Sequence, residues 1–344
     1  GEHEHDGERP QAIEPREPIA SDGAGADGRH GASRVSPRGP AVKPSALDSG
    51  VVETVRLRLD LAYDGTSFSG WSRQPGLRTV EGVLDAAIAT LLRDPELEVR
   101  LVVAGRTDAG VHATGQVAHI DLTAEQYRRL ASARRGGSIE QSVARRLNGI
   151  VAATAADVVI DRVSVAPDGF DARFSPVWRR YEYRIADALS HRDPRRRTHT
   201  LWHHAELDAA AMDAAAASLT GLHDFAAFCK PREGATTIRT LLDYAWSRDA
   251  EGVLVARVRA DAFCHSMVRA LVGAAVAVGL GRLEPTRLSG ILADAVKANA
   301  FAVVAATGLT LIEVGYPPDD ELGARAELTR ARREPLGRAS DPSD

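Results

Sequence analysis

Cysteines, long apolar runs and surplus positive charge are what this chain has least of, and each shortage excludes something. Two cysteines in 344 residues, Cys229 and Cys264, supply neither a disulfide framework nor a thiolate zinc site. Each reads as a separate buried thiol, which fits a reducing cytosol. The longest apolar run, Leu271 to Leu280, is about half of what a bilayer span needs. The first residues are acidic and histidine-rich, where a secretory leader would be basic and then apolar, so a cytoplasmic location is expected. The formal net charge is −4, with no basic excess to mark a nucleic-acid binder. That balance is uneven along the chain. Residues 1–52 carry 6 basic and 9 acidic side chains and residues 317–344 carry 5 and 7, which leaves the segment between them near neutral. An RNA site would therefore depend on local arginine clusters, and Arg145-Arg146, Arg179-Arg180 and Arg195-Arg196-Arg197 are such runs, though runs of this kind also form ordinary solvated surface.

What is present is the composition of a folded protein, 44% hydrophobic and 26% charged. Residues 1–52 are rich in Gly, Pro, Ala, Glu and Arg and poor in groups to bury, so they are expected to be disordered, and residues 317–344 read as a flexible tail. Between them, alternation from Val55 to Tyr63 predicts a half-buried strand, and Asp64-Gly65 a turn. Thr79 caps a helix whose apolar residues Val83, Leu84, Ala87, Ile88, Leu91 and Leu92 recur at three- and four-residue steps, ending at Asp94-Pro95. Further strands are predicted over Val99–Ala104, Gln116–Leu122, Tyr181–Ile185, Val253–Ala260 and Leu309–Val314, and helices near Leu207–Leu219 and Cys264–Leu280. The expected fold is α+β, with two similar domains at 53–165 and 166–316, each a mostly antiparallel sheet with helices on one face.

The segment Gly105-Arg106-Thr107-Asp108-Ala109-Gly110-Val111-His112 carries the most chemistry. It presents a carboxylate in a short loop past a strand, between glycines that permit a sharp turn and the close approach of a planar ligand. An aspartate so placed also serves to cap its own turn, and spacing alone does not separate the two roles. His203-His204 has no third ligand at a recognised spacing, so no metal site is assigned.

The loop and its surroundings resemble the signature of the tRNA pseudouridine synthase A family. The same order of blocks runs from Tyr63-Asp64-Gly65-Thr66, Gly70-Trp71, Gln74-Pro75-Gly76 and Arg78-Thr79-Val80, through Gly115-Gln116-Val117, Phe170-Asp171-Ala172-Arg173-Phe174-Ser175 and Arg179-Arg180-Tyr181-Glu182-Tyr183, to Phe263-Cys264-His265-Ser266-Met267-Val268-Arg269. Ser72 and Glu81 stand where glutamines are common in the family.

By that resemblance, Asp108 is the catalytic nucleophile, Tyr181 stacks on the target base and Arg269 pairs with the carboxylate. Arg106 and Arg173 are expected to reach RNA phosphate or help hold the flipped nucleotide, with structural pairing to a carboxylate almost as open a reading, and His112 is expected to position or contact RNA. The bare sequence, without the resemblance, favours reading Tyr181 as an ordinary core or sheet-face tyrosine and Arg269 as a solvated or phosphate-facing helix residue. The resemblance further implies a central RNA-binding cleft, a reaction without cofactor or metal, a homodimer, and uridines at about positions 38 to 40 of the tRNA anticodon stem-loop as targets. A catalytically inactive RNA-binding protein of the same fold is the alternative.

Overall fold

Leu57, Leu59, Leu61 and Tyr63 are buried and Arg56, Arg58 and Asp60 partly exposed along strand β1, Thr54–Tyr63, as the alternation requires. This computed structural model describes residues 54–97, 100–132, 137–231, 236–295 and 300–330, so the expectation for 1–52 and the start of the predicted strand at Val99 lie outside it. Helix α1, Val80–Leu92, starts at Thr79, whose hydroxyl accepts from Gly82 N at 3.2 Å, and stops at Arg93 in a left-handed conformation one residue before Asp94. Strand β2 is short, Val102–Val103, and β3 runs from His112 to Thr123, longer than the pattern indicated. Helices α2, Ala124–Ser132, and α3, Ile139–Ala152, follow, the latter opened by a reciprocal Ser138 and Gln141 cap. Strand β4, Val158–Val165, completes the first half.

The second half repeats the mixture. Strands β5, Trp178–Ala186, and β6, Leu201–Trp202, precede α4, Ala209–Ala217, and strands β7, Gly221–Asp224, β8, Ile238–Arg248, and β9, Leu254–Ala260. Helices α5, Met267–Gly279, and α6, Pro285–Asp294, then lead to strand β10, Leu309–Gly315.

The strands form one open sheet in the order β4-β1-β3-β10-β5-β9-β8-β7, with β2 on β3 and β6 on β5. Pairing is antiparallel except between β10 and β3 and between β5 and β6. Strand β10, late in the chain, is what joins the two halves: Thr310 stands opposite His112 on β3 and Leu311 opposite Tyr181 on β5. Leu57, Leu59, Ile120, Leu122 and Val163 of the sheet meet Ile88, Leu91 and Leu92 of α1, Leu130 of α2, and Val143 and Leu147 of α3 around one small apolar space. Helix α4 packs on β8 and on α5 in the other half. The architecture is α+β, a largely antiparallel ten-stranded sheet with seven α-helices among the described residues.

Two expectations are corrected. The stretch from Pro317 continues into helix α7, Leu322–Arg330, with Leu322 and Ala326 buried. Its charged composition suggested a tail, but Ser175 Oγ donates to Leu322 O, Arg330 pairs with Asp171 at 3.0 Å, and Gly169 and Gly323 let the two backbones touch. Residues 331–344 lie outside the described residues. The two cysteines, expected as separate thiols, are paired in a disulfide with Cα atoms 5.8 Å apart. They are 35 residues apart in sequence, and only the folding of the segment after β7 against the turn before α5 brings them together.

Candidate active site

The loop between β2 and β3 is held rigidly from below. Ala104 N donates to Val117 O at 2.8 Å, and Gln116 Nε2 donates to Gly105 O at 2.9 Å and to the Tyr63 hydroxyl at 3.1 Å. That hydroxyl in turn lies 2.8 Å from Thr107 Oγ1, and burial pushes its pKa up to about 12, so it stays a neutral bridge. From the side, Trp71 N donates to Thr107 O at 3.0 Å and Gly110 N to Phe68 O at 3.2 Å. The glycines of the turn after β1 are required by this closeness. A Cβ on Gly65 would stand 2.0 Å from Val111 O, and one on Gly70, at φ +97°, 2.9 Å from Thr107 O. A second clamp is Arg179, which donates to Ala104 O, Asp261 O and Arg173 O from one guanidinium.

On this frame Asp108 presents a one-third exposed carboxylate to three side chains, two from the turn entering α5 and one, Arg269, from the first turn of the helix itself. His265 Nε2 lies 3.5 Å from Oδ1, Ser266 Oγ donates to Oδ2 at 3.4 Å, and Arg269 Nη1 lies 3.9 Å from Oδ2. Ser266 adopts φ +62°, a conformation rarely held by a non-glycine residue, and it is this twist that turns the segment toward Asp108. Arg269 is aimed by its own Nε, which donates to Val304 O at 2.7 Å, while Val304 N donates back to Arg269 O. Gly273 permits that seat, because a Cβ there would stand 1.9 Å from Ala302 O.

Tyr181 is 8% exposed, its ring edge-on to Phe263 at 5.0 Å between centroids. Burial raises its hydroxyl well above the usual phenol range, and the nearby Tyr63 and the charge of Asp108 add to that. The hydroxyl is therefore neutral, and the residue is near enough to Asp108 to feel its charge.

The remaining sequence candidates divide. Arg106 is exposed and has no ion-pair partner among the described residues. Arg173 is exposed and lies over the Phe174 ring at 5.0 Å. His112 is buried: its Nδ1 accepts from Gly65 N at 3.1 Å when neutral and stands 3.1 Å from Asp64 Oδ1, so one tautomer cannot serve both. Its contacts fasten the turn after β1 rather than reach the Asp108 carboxylate. Most of the arginine runs are spent internally: Arg179 on the three carbonyls, Arg180 on Glu313 at 2.7 Å, Arg195 on Asp193 at 2.8 Å, and Arg146 on Leu91 O. Sequence reasoning quoted His265 and Ser266 within a motif without giving them a role. Their position one helical turn before Arg269, at a helix start, was the available signal.

A family model described as tRNA pseudouridine synthase matches residues 61–145 and 215–317, a span that includes the loop of Asp108 and the turn of His265 to Arg269. Proteins named tRNA pseudouridine synthase A from Leifsonia xyli subsp. xyli and Frankia casuarinae are each 56% identical, covering 82% of this chain and 98% and 96% of their own. The one from Mycobacterium leprae is 48% identical over 82% of this chain and 97% of its own. The chain belongs to the tRNA pseudouridine synthase A family. In this member of the family the Asp108 carboxylate is partly open, lies 3.9 Å from Arg269 Nη1 and is near the buried Tyr181.

Proposed function

We propose that this protein isomerises uridine to pseudouridine in tRNA with Asp108 as nucleophile. The reaction breaks the N1–C1′ bond, turns the uracil while it is held, and rejoins it to C1′ through C5. It is redox-neutral and calls for a carboxylate that can add to C6 of the base or to C1′ of the sugar. The observation that carries this reading is the Asp108 carboxylate, open on one side and bounded by His265, Ser266 and Arg269 on the other. Arg269 places a positive charge 3.9 Å from Oδ2 and helps orient the carboxylate.

A uridine must leave its stack to reach the loop, and Tyr181 offers a ring in place of the lost neighbours. Arg106 and Arg173, exposed at the rim, receive phosphates. The target is a tRNA anticodon stem-loop, with uridines at about positions 38 to 40, read by shape and phosphate rather than by base sequence. The segments 53–165 and 166–316 act as two lobes about the site, and the enzyme works as a homodimer.

The test is pseudouridine mapping of tRNA after incubation with the purified protein, which reads reaction and position together. Asp108→Asn keeps tRNA affinity and loses at least about 10³-fold in single-turnover rate. An Asn variant with near-normal turnover overturns the assignment, and light scattering that finds only a monomer overturns the dimer.

A further inference from the structure

The three groups around Asp108 differ in what they can do with a proton. Arg269 donates only, and the Ser266 hydroxyl, which donates here, does not take up a proton near neutral pH; both face Oδ2. Oδ1 is faced by His265 Nε2 at 3.5 Å, and imidazole is the one side chain of the three that takes up and releases a proton near pH 7. The His265 side chain is 44% exposed, more open than the 34% of the carboxylate it faces. Its backbone is pinned: His265 O accepts from Lys230 N at 3.0 Å, Cys264 is bonded to Cys229, and Ser266 holds the positive φ that follows.

The reaction has a proton to dispose of. After the C1′–C5 bond forms, C5 still bears its original hydrogen, whichever way the nucleophile entered. That hydrogen leaves as a proton and its electron pair becomes the C5=C6 double bond. If the nucleophile entered at C6, the C6–O bond to Asp108 breaks as the double bond forms; if it entered at C1′, the N1=C6 pair returns to N1. N1 takes up a proton from water in place of its lost bond to the sugar, so one proton leaves and one is gained. A base seated over Asp108 covers the carboxylate and shuts out the water that would otherwise collect the proton. The ring beside it, at the rim, stays open to solvent.

We infer that His265 is the proton exit of this site: Asp108 Oδ1 takes the C5 proton, passes it to neutral His265 Nε2, and the imidazolium releases it to water. The relay rests on Asp108 being the carboxylate at the reacting base. No oxidant, metal or co-reactant enters the balance.

The test uses full-length protein, tRNA carrying deuterium at C5 of uridine, and two variants at this partly exposed position. His265→Gln keeps a donor within reach of Oδ1 but cannot carry a proton. It binds tRNA within about twofold of wild type, loses about 10²-fold in single-turnover rate, and shows a larger C5 deuterium isotope effect than wild type. His265→Ala behaves alike and regains rate when imidazole is added. A His265→Gln rate within threefold of wild type, a loss confined to tRNA affinity, or an Ala variant indifferent to imidazole overturns the relay and leaves His265 as an RNA or positioning contact. If Asp108→Asn is inert while His265→Gln is normal, the relay alone fails. If Asp108→Asn turns over normally, the nucleophile and the relay fail together.

Discussion

Tyr181 separates two demands on one residue, a ring to stack and a hydroxyl to bond. Burial holds the hydroxyl neutral, and the ring meets Phe263 edge-on. If stacking is its work, Tyr181→Phe retains turnover within about tenfold while Tyr181→Ala loses at least about 10²-fold, mostly in kcat, and single-turnover assays of the two distinguish ring from hydroxyl. Asp85 on α1 offers a stability test independent of catalysis. Its Oδ1 is buried without a hydrogen-bond partner among the described residues, Glu81 lies nearby, and Arg73 reaches it only at 3.9 Å. Burial first, and Glu81 second, push its pKa up to about 6. A carboxyl raised in the folded state binds its proton there at pH values where the unfolded chain has released it. Stability therefore falls as pH rises from about 4 to about 6 and is level above. Asp85→Asn is expected to gain about 1–2 kcal/mol at pH 7 and nothing at pH 4 in denaturant titrations. The roles proposed for Asp108 and Arg269 rest on a pattern of motif blocks. The contacts of His265 and Ser266 did not, because no spacing rule tells that a serine at a helix start adopts a positive φ.

At the scale of elements, the loop of Asp108 depends on a turn far from it in function but touching it in space. Gly65→Ala would push a methyl into Val111 O at 2.0 Å, and the backbone has to move. The expected result is a loss of about 2–4 kcal/mol in denaturant unfolding together with a fall in turnover, since Val111 N is hydrogen-bonded to Asp108 O. Unchanged stability would mean that the turn and the loop are not so tightly joined. Elements with a clean period were legible: β1 from alternation, α1 from its Thr79 cap and three- and four-residue steps, α5 from its apolar run. Helices α2 and α3 were not, because α2 is mostly polar and the Arg145-Arg146 pair of α3 read as a charge cluster. Strand β4, at the sheet edge, leaves Val159 and Val165 exposed and so blurs its own alternation. Helix α7 was hidden by composition: only Leu322 and Ala326 of its nine residues are buried.

For the whole molecule, charge is the decisive quantity. A chain of net charge −4 that binds a polyanion relies on local cations, and Arg180 and Arg195 each already face a carboxylate, Glu313 and Asp193. The log of tRNA affinity should then fall with the log of salt concentration at a modest slope, and Arg106→Ala should weaken binding to all tRNA substrates alike and lower that slope by about one. A slope unaffected by the substitution removes Arg106 from the phosphate contacts. The sequence by itself determined the family and the sheet-and-helix class and singled out Asp108 as the proposed nucleophile, because ordered motif blocks and periodic apolar positions are properties of the chain read in one dimension. Tertiary structure alone decided which groups surround Asp108, since β2 and β3, the start of α5 and the stretch at 302–305 are up to about 200 residues apart and are brought together by β10, which pairs with both β3 and β5, and by Arg179, which bridges Ala104 and Asp261. It also decided that two thiols become one bond and that a charged tail becomes a packed helix, because pairing and burial depend on distances that neither composition nor spacing encodes.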